Sequence, residues 1–225
     1  MKIALRDKYL SRSRFNRYLI STGNDLSRAN RLYKANIRLG QAFYPLLSQF
    51  EVIFRNSLDQ ELSDHFSTTN WILSETSGFM NDNSLRPQLY LKKQVLRSQN
   101  NMNRNGITIT SGKLLADQTL GFWVAFFSIP HYRLLQGKPI HIFSNKPGIE
   151  NRSSLHQKLE KIRDFRNRVN HCEPICFVGN TIDCNLPLSI RNLIFDLSEW
   201  MNPDLISFLN GLDNIQAKVD NILRI

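Results

Sequence analysis

LYKANIRLGQAFYPLLSQFEVIFRNSL, residues 32 to 58, sets apolar side chains at Leu32, Ala35, Leu39 and Phe43, and again at Leu46, Leu47, Phe50, Ile53, Phe54 and Leu58. Steps of three and four residues are the period of an α-helix with one buried face. Asp25 or Ser27 can cap it, because a short oxygen-bearing side chain satisfies the first free N–H groups. The pattern predicts a strong amphipathic helix from Asp25 to about Asp64. Pro45 interrupts it: lacking an N–H and crowding the preceding turn, it either kinks this helix or sits in the first turn of the next.

Reading outward, the same period returns elsewhere. Residues 1–24 are basic and weakly periodic and end in a Ser-Thr-Gly-Asn turn, which predicts a basic arm or an irregular N-terminal helix. Residues 66–84 read as a loop with a short helix around Trp71 and Ile72. Residues 85–99 read as a helix with Leu89, Leu91 and Val95 inside, followed by a polar turn at 100–106. Ser111 can cap a further helix carrying Leu114, Leu120, Trp123 and Phe127, with Gly121 as a local break. A Pro/Gly-containing connection spans 130–148. Ser153 or Ser154 then caps a helix whose stripe is Leu155, Leu159, Ile162, Phe165 and Val169, and Pro174 ends it. Residues 175–186 can be a short hairpin or a loop, and two helices, 188–201 and 203–222, close the chain. The expected class is all-α, with six to eight helices in one compact unit over 25–225 behind the basic arm.

Twenty-nine Lys and Arg against 19 Asp and Glu leave a net charge of +10, which makes a polyanion the first partner to consider. Three cysteines, Cys172, Cys176 and Cys184, are too few and too odd in number for a secreted disulfide scaffold. Their spacing beside His171 lacks the paired C-x2-C of a zinc site, so they read as small apolar residues in a reducing cytoplasm. The N-terminus has no long apolar core of a signal peptide. The most apolar stretch, residues 120–130, falls short of the roughly 20 residues needed to cross a bilayer. A soluble, cytoplasmic protein with no membrane partner is expected. Neither a Gly-rich phosphate loop nor a zinc-protease or serine-hydrolase motif is present.

Chemistry concentrates in RDFRNRVNHCEP, residues 163–174. Arg163, Arg166, Arg168, Asn167, Asn170 and His171 crowd the end of a predicted helix. Arg166 and His171, five residues apart, lie some 140° apart around an ideal helix axis. Loosening of the last turn before Pro174 would swing the His171 ring toward Arg166. Asn167 and His171, four apart, are neighbours on the helix surface. A guanidinium, an amide and an imidazole at one helix end suit RNA cleavage. Imidazole can take a proton from the 2′-OH or give one to the departing 5′ oxygen, and guanidinium holds phosphorane charge with planar paired donors. No metal is needed when the RNA's own hydroxyl is the nucleophile. The competing account is ordinary: basic side chains near a helix C-terminus are favoured by the macrodipole.

The string Arg166-Asn167-Arg168-Val169-Asn170-His171 resembles the R-x4-H motif of the HEPN superfamily of α-helical ribonucleases and RNA-binding domains. Three further stretches are similar to one branch, the Abi-like proteins of bacterial abortive infection (AbiD/AbiF type). They are residues 42–58 with Glu51, Arg55 and Asn56 as the E-x3-R-N signature, residues 120–128 with Gly121-Phe122-Trp123, and HCEPI at 171–175. The likeness covers roughly residues 28–200. It implies an HEPN-like helical bundle and a metal-independent endoribonuclease that leaves 2′,3′-cyclic phosphate and 5′-OH ends, without a cofactor. His171 would be general base or acid, Arg166 would stabilise phosphate charge, and Asn167 would position the phosphate or His171. Supporting or RNA-binding roles fall to Glu51, Arg55, Asn56, Arg163 and Arg168. The resemblance also implies a homodimer with a composite site and a toxin-like role in anti-phage defence, restrained by an antitoxin protein or an inhibitory RNA. One departure matters: members often carry a second His directly after the motif His, and here that residue is Cys172.

Glu51 and Arg55 sit four apart among Phe50, Val52, Ile53 and Phe54, so a charged pair there needs a partner or a purpose. The resemblance implies that Glu51 orients Arg55 or Arg166. Phe122 and Trp123 could stack on bases, but their helical spacing among apolar residues favours core. The basic arm, with Arg6, Lys8, Arg12, Arg14 and Arg17, reads as solvated or as a salt-sensitive grip on a phosphate backbone. The alternatives to a nuclease are a non-catalytic module that holds structured RNA, and a helical adaptor with no nucleic-acid role.

Overall fold

The structure, a computed structural model, describes residues 8–225. It is all-α as the periodicity predicts, with 71% helix in 11 helices and a two-strand hairpin. Arg6 of the basic arm lies outside the described residues. The described residues form two compact units. One comprises residues 8–47, 164–194 and 207–225, the other 48–163 and 195–206.

The first unit opens with α1, Arg12–Ser21, whose Ser11 hydroxyl accepts from the Arg14 N–H. Phe15 and Tyr18 are buried. The Tyr18 ring meets Tyr33 at 5.2 Å and Phe177 at 5.1 Å, both edge-on, the arrangement the ring quadrupoles favour. Arg17 reinforces this by donating from Nε to the Gly179 carbonyl at 2.7 Å and lying over the Phe177 ring. Residues 26–47 of α2 (Leu26–Phe66) bury Ala29, Leu32, Leu39, Phe43 and Leu46. Asp25 caps α2, accepting from the Ser27 and Arg28 N–H groups at 2.8 and 3.0 Å. Phe43 packs edge-on against Phe165 at 4.7 Å. The hairpin is β1 (Phe177–Val178) and β2 (Thr181–Ile182), with Phe177 opposite Ile182. Gly179 turns it at φ 56°, a conformation that residues with a Cβ adopt at a cost.

In the second unit, residues 48–66 of α2 bury Phe50, Phe54, Leu58 and Leu62. A short α3 (Trp71–Ser74) follows, and the Trp71 indole donates to Asp59 at 2.8 Å. Then come α4 (Tyr90–Arg104), α5 (Ser111–Asp117), α6 (Leu120–Val124) and α7 (Ile129–Leu134). Trp71, Phe122, Trp123 and Phe126 interlock as its aromatic core, all fully buried. That is the core role expected for Phe122 and Trp123. An added Cβ at Gly121 would stand 3.4 Å from the Tyr90 hydroxyl and 3.6 Å from Arg163 Cδ, so a small residue suits this close approach.

Helices α8 (Arg152–Asn170) and α9 (Asn185–Met201) contribute residues to both units, and α10 (Leu205–Asn210) and α11 (Ile215–Leu223) follow. Several boundaries differ from the sequence reading. α2 runs through Pro45 as one 41-residue helix, because apolar residues in phase on both sides, Phe43 and Leu46 among them, outweigh the lost hydrogen bond. α4 begins after Pro87 and continues through Asn100–Arg104, where buried Met102 holds the turn that the asparagines alone would not. The break before α6 falls at Gln118 and Thr119, leaving Gly121 inside the helix. The last predicted helix is split at Gly211–Asn214, where Asp213 accepts from the Ile215 N–H and from Arg191 Nε. Asn151 caps α8 in a reciprocal box: its Oδ1 accepts from the Ser153 N–H, and Ser154 Oγ accepts from the Asn151 N–H.

Candidate active site

Helix α8 carries Leu155, Leu159, Ile162 and Phe165 into buried positions, then delivers the basic motif in its final turns. Its end is a Schellman motif. The Glu173 N–H returns to the Arg168 carbonyl at 2.9 Å and the Cys172 N–H to the Val169 carbonyl at 3.0 Å, with Cys172 left-handed at φ 53°. His171 is the cap residue, and its own N–H still reaches the Asn167 carbonyl at 2.9 Å. The sequence reading expected this turn to loosen and swing His171 toward Arg166; it stays helical through His171, so the two remain about 140° apart around the axis of α8. The carbonyls are taken up by the motif itself, and the chain departs only at Cys172. Arg168 ties this departure down, donating from Nη2 to the Pro174 carbonyl at 2.7 Å and pairing with Glu173 at 3.3 Å.

Arg166 is half-buried. With the Asn170 amide oriented to suit its neighbours, the Asn170 oxygen accepts from both Arg166 Nε and Nη1 at 3.2 Å. Asn167 and His171 are exposed on the adjoining surface, one turn apart. Thus the sequence motif resolves into two layers: Arg166 and Asn170 form a braced pair, and Asn167 and His171 face solvent. Arg168 serves the turn.

Glu51, Arg55, Asn56 and Arg163 belong to the other unit. Glu51 and Arg55 are half-buried, and Arg55 Nε donates to Asn56 Oδ1 at 3.3 Å. Arg163 pairs with Glu160 at 2.5 Å, an i,i+3 ion pair on a part-exposed face.

Beside the motif lies an open groove of about 600 Å³ in the first unit. Val169, Asn170, Cys172 and Glu173 line one side, and Ile37, Gln41 and Tyr44 of α2 line the other. Tyr44 is 69% exposed and Ile37 44%. Asn36 anchors the groove from beneath: nearly fully buried, it accepts from the Ile175 N–H at 2.9 Å. Sequence reasoning passed over Asn36 and Tyr44, and counted Asn170 in the motif without giving it a role. Asn36 could have been found, because it is a polar residue in phase with Leu32, Leu39 and Phe43 on a buried stripe, where an amide must have a partner.

Cys176 and Cys184 are buried and Cys172 is exposed. Burial, with Cys184 nearby, pushes the Cys176 thiol up to about 12, and burial beside Asp183 pushes Cys184 up to about 11, so both are inert core thiols. Among the described residues no group of three or more His, Cys, Asp or Glu side chains is placed to hold a metal ion. No helix there is long and apolar enough to cross a membrane. Comparison with protein-family models, curated proteins and solved structures finds no match for this chain.

Proposed function

We propose that this chain is a metal-independent endoribonuclease of the Abi-like HEPN type. The observation that carries the reading is the closed end of α8, which presents His171 and Asn167 exposed one turn apart and, in the same turns, an Arg166 braced by Asn170. In the proposed reaction His171 takes the proton from a ribose 2′-OH, and O2′ attacks the adjacent phosphorus. The bond from phosphorus to the 5′ oxygen breaks, and that oxygen leaves with a proton. The products are a 2′,3′-cyclic phosphate and a 5′-OH. Arg166 donates to the non-bridging oxygens as charge builds on them, and its Asn170 brace fixes the guanidinium plane before substrate arrives. Asn167 positions the phosphate.

One imidazole cannot be base and acid in the same step. A homodimer in which two copies of His171 meet supplies both, which is the composite arrangement the resemblance implies. In the cell this reading makes the protein a cytoplasmic effector of abortive infection. RNA is its substrate, and a protein or RNA antitoxin holds it in check.

A second reading, a module that holds structured RNA without cleaving it, is favoured by one residue: Cys172 stands where relatives by resemblance carry a second His. The deciding experiment incubates total cellular RNA in EDTA with wild type and with His171→Ala. Cleavage by wild type alone, leaving cyclic phosphates, supports the nuclease. Salt-sensitive binding by both without cleavage supports the holding module.

A further inference from the structure

Between Leu26 and Phe50, α2 contains four cations and no acid: Arg28, Arg31, Lys34 and Arg38. Arg31, Lys34 and Arg38 follow one another at i, i+3 and i+7, so they form a single stripe along the helix. Like charges so placed repel one another, and the usual remedy is an interleaved carboxylate. Here none is supplied. Among the described residues none of these three forms an ion pair, and neither does Lys218 of α11, which joins them.

The acids nearest in sequence are engaged elsewhere. Asp25 is held at the cap of α2 by the Ser27 and Arg28 N–H groups and feels the charge of Arg31 only as a minor influence, and Asp220 accepts from Gln216. Arg28 donates to the Ile225 carbonyl at 2.8 Å and fastens the end of α11 to the start of α2. The two helices thereby flank a cleft of about 320 Å³ lined by Arg31, Lys34, Ala35, Arg38, Lys218, Asn221 and Ile225, with no acidic side chain among them.

We infer that this cleft binds the phosphodiester backbone of a single RNA strand. Four cations and an amide donor line one cleft and match successive phosphates of a strand. The α2 residues that line the groove beside the motif, Ile37, Gln41 and Tyr44, lie further along the helix and are rotated around its axis from the cationic stripe. Gln41 and Tyr44 lie at most about 20 Å beyond Arg31 at 1.5 Å per residue. The inference rests on the reading of the chain as RNA-acting, but not on its being a nuclease.

The test uses the full chain in a His171→Ala background, so that bound RNA survives. Affinity for a labelled oligouridine of about 20 nucleotides is measured across a salt series. Arg31→Gln/Lys34→Gln/Arg38→Gln is compared with an equal charge loss in the other unit, Arg97→Gln/Arg104→Gln/Lys161→Gln. Thermal melting checks that both variants fold.

Three lost phosphate contacts should lower the slope of log affinity against log salt by about 2 for a single strand, with affinity at low salt down at least about tenfold. The control triple should leave the slope nearly unchanged. Equal losses in both triples, no loss in the α2 triple, or no RNA binding by the parent would each overturn the inference. Loss of binding to phosphatidylserine vesicles with RNA binding intact would also overturn it, by moving the cleft to a lipid surface. A protein that never cleaves RNA yet shows the expected slope change would retain the cleft and lose only the nuclease.

Discussion

The Asn170 side-chain oxygen lies 3.2 Å from both Nε and Nη1 of Arg166, one helical turn before it, and holds the guanidinium edge-on. A guanidinium preset in this way loses little freedom when it meets phosphate. Asn170→Ala should therefore lower kcat of RNA cleavage about tenfold or more, the worth of a hydrogen bond to a charged group. KM should change little. Asn170→Asp, which still accepts, should recover most of the rate. Single-turnover kinetics on a defined RNA checks both, and an unaffected Asn170→Ala would remove the brace from the mechanism.

His171→Ala should reduce cleavage by about 10²–10⁴-fold, the usual range for a lost proton-transfer group. Binding of the same RNA should stay within about twofold, because His171 is exposed and supports no other side chain among the described residues. Paired cleavage and filter-binding assays decide this.

Cys172 holds the left-handed position of the Schellman motif, where a Cβ is crowded by the following carbonyl. Cys172→Gly should stabilise the protein by about 1 kcal/mol and raise Tm by about 2–4 °C. Cys172→Val should do the opposite. A calorimetric scan in which valine equals or exceeds glycine would contradict the geometry.

Asn36 is the sole side chain given to the Ile175 N–H among the described residues. Asn36→Leu keeps the volume but strands that buried donor, a loss of about 1–3 kcal/mol. Urea unfolding should show a lowered midpoint with the slope unchanged.

His131 is buried against Ser128 Oγ at 2.8 Å and the Ala125 carbonyl at 3.0 Å. Burial lowers its pKa from the ordinary value near 6.5, with the Ala125 carbonyl opposing in part. Below about pH 6.5 the unfolded chain then binds a proton that the folded chain refuses, so stability falls as pH drops through that window. Tm measured from pH 7 to 5 should decline less steeply in His131→Gln than in wild type.

Legibility followed burial. The stripes of α2 and α8 were readable because one face of each is apolar over many turns, so existence and phase survive local noise. Boundaries were not, because they hang on single side chains. Asn151 rather than Ser153 caps α8, and Met102 carries α4 through a run of asparagines. The candidate site was half legible. Arg166, Asn167 and His171 announce themselves by type and spacing. Asn170 as the brace and Arg168 as the clasp of the following turn depend on side-chain directions at a helix end, which spacing alone does not determine. The α2 cleft needs α11 beside it, a pairing whose Arg28–Ile225 hydrogen bond spans 197 residues and which no local pattern encodes.

The first unit is assembled from three separate pieces of chain, and its hydrogen bonds between Asn36 and residue 175 and between Arg28 and residue 225 span 139 and 197 residues. The second unit is drawn mostly from the contiguous run 48–163. A ribosome therefore releases the material of the second unit well before the first can close. Loop closure over such spans is slow and entropically costly. The motif's groove can form only after residue 175 has been made, and the cationic cleft only after residue 221, long after the run 48–163 is complete.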